Sequence, residues 1–467
     1  MTIRLKRRRA GWRRWLIASV AGCAVLGVAP SLLPGTLWPP DPVAAPAPGP
    51  AALAQDAVAA GAPAALPGLA VLIAEREAQV RAHPRDARSW AVLGAAYVEQ
   101  GRRTADPARF PKAEEALRTA LRLEKSPAAL EGLAALAVAR RDFPGAKRWG
   151  EAARRLAPER WTTQAVLIDA YTGLGDHKAV GRALERLVKL RPGAAAVRAR
   201  KAAVYRDRGW REDAVAQITD AVAVARTPAE RAAYLEQAGR LAFERGEREE
   251  ALRYFREALR TDPGQRAAQA GQGRALAALG RTSEALTAYQ AALDRQPRPE
   301  DALELGELYE SLGLGRAARV QYDLLRERVR AAAAGGADEE LVLGRFEAAH
   351  GDAAAAVRRL GAEWRRQPST AVADALGWAL YRDGRAGEAL EYAVRATDGE
   401  RGGGVRSAAY VYHRGVIERE VGRYGAARRH LQEALRINPW FSPLDGPRAR
   451  EVLAELGEPS VESPPSG

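Results

Sequence analysis

Cysteine is all but missing. Cys23 stands alone in 467 residues, so an intrachain disulfide framework and a cysteine-ligated zinc site are both excluded. The five histidines (His83, His177, His350, His413 and His430) are scattered, and no two share metal-ligand spacing. No Gly-Lys dipeptide occurs, which removes a phosphate-binding P-loop. Gly271-Gln272-Gly273 and Gly313-Leu314-Gly315 mimic nucleotide fingerprints, but both sit among helical patterns with no strand before them. Lysine is scarce as well, 7 against 65 arginines. With so much alanine, that bias suits a GC-rich bacterial genome, and the arginine excess is codon usage before it is phosphate recognition. No catalytic constellation remains, and no cofactor or metal site is expected.

The net charge of +14 is lopsided. Arg4, Lys6, Arg7, Arg8, Arg9, Arg13 and Arg14 supply seven of it, which leaves +7 across the other 453 residues and no evident basic stripe. Behind these cations, residues 15–33 are uncharged. As a helix these 19 residues would span about 28 Å, close to a bilayer's hydrocarbon thickness. No Lys or Arg follows until Arg76, so the asymmetry predicts a single-pass membrane segment with an extracytoplasmic body. Two other readings stay open. One is a secretory signal, with Ala52-Leu53-Ala54 as cleavage site. The other is a lipoprotein signal, since Val20-Ala21-Gly22-Cys23 resembles a lipobox with Cys23 as the acylated residue. Residues 34–68 hold nine prolines among Ala and Gly and predict an extended, disordered tether. Residues 457–467 predict a disordered tail.

Between these ends the chain repeats itself. Glu250-Ala251-Leu252, Phe255, Ala258-Leu259 and Pro263 recur as Glu284-Ala285-Leu286, Tyr289, Ala292-Leu293 and Pro297. The residue that opens the motif falls at 113, 146, 180, 214, 251, 285, 318, 356, 389 and 427, at intervals of 33–38. That is the length of one helix-turn-helix unit. Ahead of most of these markers a glycine punctuates the turn: Gly175, Gly209, Gly246, Gly280, Gly313, Gly351, Gly384 and Gly422. Each suits a left-handed helix cap.

The pattern resembles the tetratricopeptide repeat (TPR) family. The match runs through Trp90, Leu93-Gly94, Tyr97, Ala113, Leu117 and Ala120, then Gly239, Ala251, Phe255, Ala258 and Pro263, then Leu305-Gly306, Tyr309, Ala318 and Tyr322. The resemblance implies an all-α protein, an α-solenoid of about ten repeats over residues 87–440. A capping helix over residues 69–86 would precede the array. A second, within residues 441–456, would close it, followed by the tail.

In this family the first helix of each repeat lines a concave groove that contacts the partner. Projection from the small-residue position places Asp169, Arg206, Glu236, Arg240, Phe243, Arg274, Glu307, Glu310, Arg345, Asp374, Trp378, Tyr381, Arg382, Tyr412 and Arg419 there. Trp378, Tyr381 and Tyr412 with nearby arginines have the composition of an interface hot spot. The Asn/Lys carboxylate clamp of chaperone-binding members is absent from these positions. The resemblance therefore implies a non-catalytic scaffold that binds a protein or peptide; the charge asymmetry would tether it to a membrane through residues 15–33, and without a basic stripe no nucleic acid is expected. The competing reading is a cytoplasmic regulatory or nucleic-acid-associated TPR adaptor.

Overall fold

The computed structural model describes residues 48–294, 298–399 and 404–457, and their regular structure is entirely helical. Two helices lead, α1 (Pro50–Ala59) and α2 (Leu66–Ala82). Ten hairpins of a helix A and a helix B follow. The first five are α3 (Ala87–Thr104) with α4 (Arg109–Leu123), α5 (Pro127–Ala139) with α6 (Phe143–Leu156), α7 (Trp161–Gly173) with α8 (His177–Leu190), α9 (Ala195–Asp207) with α10 (Arg211–Ala223), and α11 (Pro228–Glu244) with α12 (Arg248–Thr261). The second five are α13 (Arg266–Ala278) with α14 (Thr282–Leu293), α15 (Pro299–Ser311) with α16 (Gly315–Ala334), α17 (Glu340–His350) with α18 (Ala353–Arg366), α19 (Thr370–Arg382) with α20 (Ala386–Thr397), and α21 (Ala408–Glu420) with α22 (Tyr424–Ile437). A single helix, α23 (Asp445–Glu455), ends the described chain.

The helices start where short polar side chains can take up free backbone N–H groups. Asp86, Asp142, Asp176 and Asp352 each accept from the N–H three residues on, at 2.9–3.1 Å. Within a hairpin, a bulky residue of helix B enters a slot left by small residues. Phe255 is fully buried between Gly239 on its own partner helix and Gly271 on the next A helix. A Cβ at either glycine would stand 2.7 or 2.5 Å from the Phe255 ring. Successive A helices approach one another on the inner face, whereas successive B helices stand farther apart on the outer one. The stack therefore curves with its A helices inside.

The curve returns upon itself. Arg140 Nε donates to Gly335 O at 3.2 Å and Asn438 Nδ2 donates to Phe243 O at 2.8 Å, each across 195 residues. The Asp338 N–H donates to Arg140 O at 2.8 Å, and Arg103 meets Asp262 at 2.5 Å. Gly175 and Gly209 sit on this seam with φ of +66° and +76°. A Cβ there would lie 2.4 Å from Pro368 O and 2.5 Å from Gly404 O, so these two positions exclude side chains on two counts. Arg141 takes the matching turn position in the second hairpin at φ +59°. A left-handed arginine costs about 1–2 kcal/mol. Its guanidinium reaches Glu300 and, at 3.2 Å, Glu339, which offsets that strain across the seam.

Several expectations need correction. Residues 50–59 and 66–68 of the expected tether are helical. Pro50 and Pro67 stand in the first turn of α1 and α2, where proline's missing N–H costs nothing, and Ala51 and Ala54 are buried. The array therefore opens with a helical pair and not with one capping helix. Gly351 turns at φ −139°, outside the left-handed region. The single-pass anchor and extracytoplasmic body are also withdrawn. No helix of the described residues is long and apolar enough to cross a membrane, and the longest, α16, carries seven charged residues. Residues 15–33, with Cys23 and the signal readings attached to them, lie outside the described residues, as does the tail beyond Gly457.

The slot generates a test. Gly239→Ala gains about 1 kcal/mol of helix propensity, yet overpacking a closed core costs about 1–3 kcal/mol. Net destabilisation is expected in chemical denaturation. A stabilised variant would show that Phe255 yields freely.

Candidate functional site

The inner face carries a ladder of charge pairs from one A helix to the next. Asp169 of α7 meets Arg200 of α9 at 2.9 Å. Arg206 of α9 makes a two-pronged contact with Glu244 of α11, both bonds 2.6 Å. Arg274 of α13 binds Glu304 of α15 at 2.6 Å, and Glu307 of α15 lies 3.5 Å from His350 of α17. Asp374 of α19 stands 2.9 Å from His413 of α21. The Glu244 carboxylate pushes the Arg206 pKa further above its usual range. Burial alone would raise Glu244, but Arg206 pulls it below the ordinary carboxylate value.

Of the residues projected onto the groove, Phe243, Arg274, Glu307, Arg345, Asp374 and Trp378 line one cavity of about 430 Å³. Its far wall is the segment Pro439 to Arg450, which folds back into the concave side. Trp440 lies between the guanidinium groups of Arg248 and Arg450, 4.4 and 5.1 Å from its ring centre. Trp378 stacks on His413 with ring centres 4.2 Å apart. Arg345 is the exception among the cavity's arginines. It is exposed and without a hydrogen bond or ion pair, while Arg274 is paired and Arg450 donates to Pro439 O at 2.7 Å.

The other projected residues are placed differently. Tyr412 is 2% exposed and packs against Trp378 and Phe441, so it belongs to the core. Tyr381 is half-buried, 5.0 Å from Trp378. Arg419 binds Glu455 at 2.8 Å and so pins the last helix. Glu310 accepts from the Tyr322 hydroxyl at 2.7 Å. Arg240 and Arg382 are exposed, and Glu236 is half-buried. Projection missed His413, Glu304 and the Trp440–Phe441 segment. Helical spacing reports which face a residue shares, not which residue of the next helix it meets. Among the described residues no group of three or more His, Cys, Asp or Glu is placed to hold a metal.

Burial works against protonation of His413, but the Asp374 carboxylate outweighs it and sets the pKa above the ordinary 6.5. The folded chain then keeps a proton that the unfolded chain releases. This stabilisation is complete below about pH 6.5 and is lost as pH rises through the folded-state value. Tm should therefore fall from mildly acidic to mildly alkaline pH, and Asp374→Asn should flatten that dependence. An unchanged slope in Asp374→Asn would remove His413 as its source.

Ten hairpins of one design, stacked with their first helices inward, define a helical-repeat solenoid. Residues 236–302 and 375–440 match the tetratricopeptide repeat family model, and the hairpins between and before them keep its register. Over these two stretches the chain is similar to the tetratricopeptide repeat family. No curated protein matches it. Solved structures similar to it include the human IFIT1 dimer with PPP-AAAA. That one is 17% identical over 78% of this chain and 85% of that one, with a TM-score of 0.43. PilF of Pseudomonas aeruginosa is 17% identical over 43% and 90%, with a TM-score of 0.36. A thermophilic TPR protein of Thermus thermophilus is 21% identical over 39% and 99%, with a TM-score of 0.35. Likeness at this level transfers neither ligand nor role.

Proposed function

We propose that the chain is a non-catalytic scaffold that grips an extended protein or peptide segment in its concave groove, at the cavity between α11 and α21. The observation that carries this reading is Arg345. Its neighbours on the ladder are neutralised, whereas Arg345 stands exposed and unpaired in a cavity that also presents Phe243 and Trp378. An aromatic wall supplies apolar contact, and a free guanidinium supplies a two-pronged bond to a carboxylate or carbonyl of the bound segment. Repeat arrays of this family are generally non-catalytic, which fits a role in binding.

Arg345 is also the sharper probe. Trp378→Ala disturbs packing against Tyr381, Tyr412 and His413, so lost binding there would be ambiguous. Arg345→Ala removes an exposed, unpaired side chain and should change stability by no more than about 0.5 kcal/mol. Peptides selected from a displayed random library against the wild-type protein should bind Arg345→Ala about tenfold or more weakly, a loss of about 1.4 kcal/mol. Equal affinity for both proteins would exclude this part of the groove.

A further inference from the structure

The outer face carries a second, unrelated feature. The body's charge is not spread evenly, as its total suggests. Residues 143–211 hold 16 Lys and Arg against 6 Asp and Glu, a net of +10, while residues 212–467 sum to −4. In this basic stretch a furrow of about 380 Å³ runs between the B helices α6 and α8, with α7 as its floor. Lys147, Arg182 and Arg186 line it without any acidic partner. Lys147 has only the Tyr171 ring, its ammonium 6.0 Å from the ring centre. Lining the floor is Gln164, fully buried, with neither its amide nitrogen nor its amide oxygen hydrogen-bonded. A buried amide with both ends unmet destabilises the fold, and natural cores seldom keep one without a use.

We propose that this furrow binds a short acidic peptide segment. Its Asp or Glu side chains meet Lys147, Arg182 and Arg186, and one of its peptide groups pairs with the Gln164 amide. The pairing is chemically matched, since a peptide group offers one donor and one acceptor and Gln164 lacks one of each. Reaching Gln164 requires the long rim side chains to part, which unpaired Lys147 and Arg182 are free to do. A nucleic-acid strand fits less well. Glu151 and Asp176 also line the furrow and would face a phosphate at every step, whereas a peptide can place neutral residues beside them. The furrow offers no stacking platform either, as Tyr171 is 4% exposed.

The test uses the whole chain and a fluorescein-labelled peptide of alternating Glu and Gly, followed by anisotropy. The peptide should bind, and binding should weaken as salt screens the rim. Gln164→Met, nearly equal in volume, should raise Tm while weakening the peptide about tenfold. A residue with a merely structural role would not produce that opposition. Arg182→Glu, an exposed change, should weaken the peptide as well and keeps the test open if Gln164→Met fails to fold. Arg345→Ala should leave this binding unchanged, which separates the furrow from the concave groove. No binding of the peptide would overturn the proposal. So would unchanged affinity in both Gln164→Met and Arg182→Glu, or tighter binding of an oligothymidylate of matched charge.

Discussion

One steric constraint sets the geometry of everything else: a bulky B-helix side chain must enter a slot in which no Cβ fits. Phe255 between Gly239 and Gly271 is the clearest case, and Tyr289 against Gly273 and Tyr322 against Gly306 repeat it. The slot fixes how closely helix A meets helix B and how the next hairpin follows. A small fixed rotation per hairpin, compounded, brings the chain back beside itself after about 195 residues. Leucine fills the same kind of slot in other hairpins, Leu117 against Gly94, Leu360 against Gly344 and Leu431 against Gly415.

Closure changes the electrostatics of the interior. Arg206, Glu244, Arg274 and Glu304 line the inner face with about two thirds of each side chain covered, where an unpaired charge would lose part of its hydration. Each therefore meets a partner on the adjacent A helix. Such pairs add modest net stability, because desolvation consumes most of the Coulomb gain. Their stronger effect is on register, since a bidentate arginine–carboxylate contact tolerates little sliding. At Arg345 the ladder has no rung, and that guanidinium faces the cavity beside Phe243 and Trp378, open to an outside group.

The repeats were legible in the sequence because their determinants are local. Ala251, Phe255 and Ala258 lie within two turns of one helix, and a 34-residue period needs no knowledge of the third dimension. The seam was not legible, since Asn438 finds Phe243 only through rotation accumulated over six hairpins. Groove membership could be projected for Asp169, Arg206 and Asp374, but not their neutralisation, which depends on the facing helix. Proline counting misled at residues 50–68, because Pro50 and Pro67 begin helices there. Averaging charge over 453 residues hid the furrow: a net +10 within residues 143–211 becomes a dilute +7 once the whole body is counted.

The two faces therefore work by different physics. On the concave side, paired charges cancel at short range, and the proposed binding mode relies on shape, the faces of Phe243 and Trp378, and the Arg345 guanidinium. Recognition of that kind would depend on fit more than on the ionic strength of the medium. On the convex side, Lys147, Arg182 and Arg186 have no acidic partner of their own, and in the proposed mode their net field would speed encounter and fade with salt. Gln164 adds what a field cannot supply, a demand for a specific donor–acceptor pair. The seam contacts tie both faces into one body, so under the two proposals a groove ligand and a furrow ligand would be carried by the same stack.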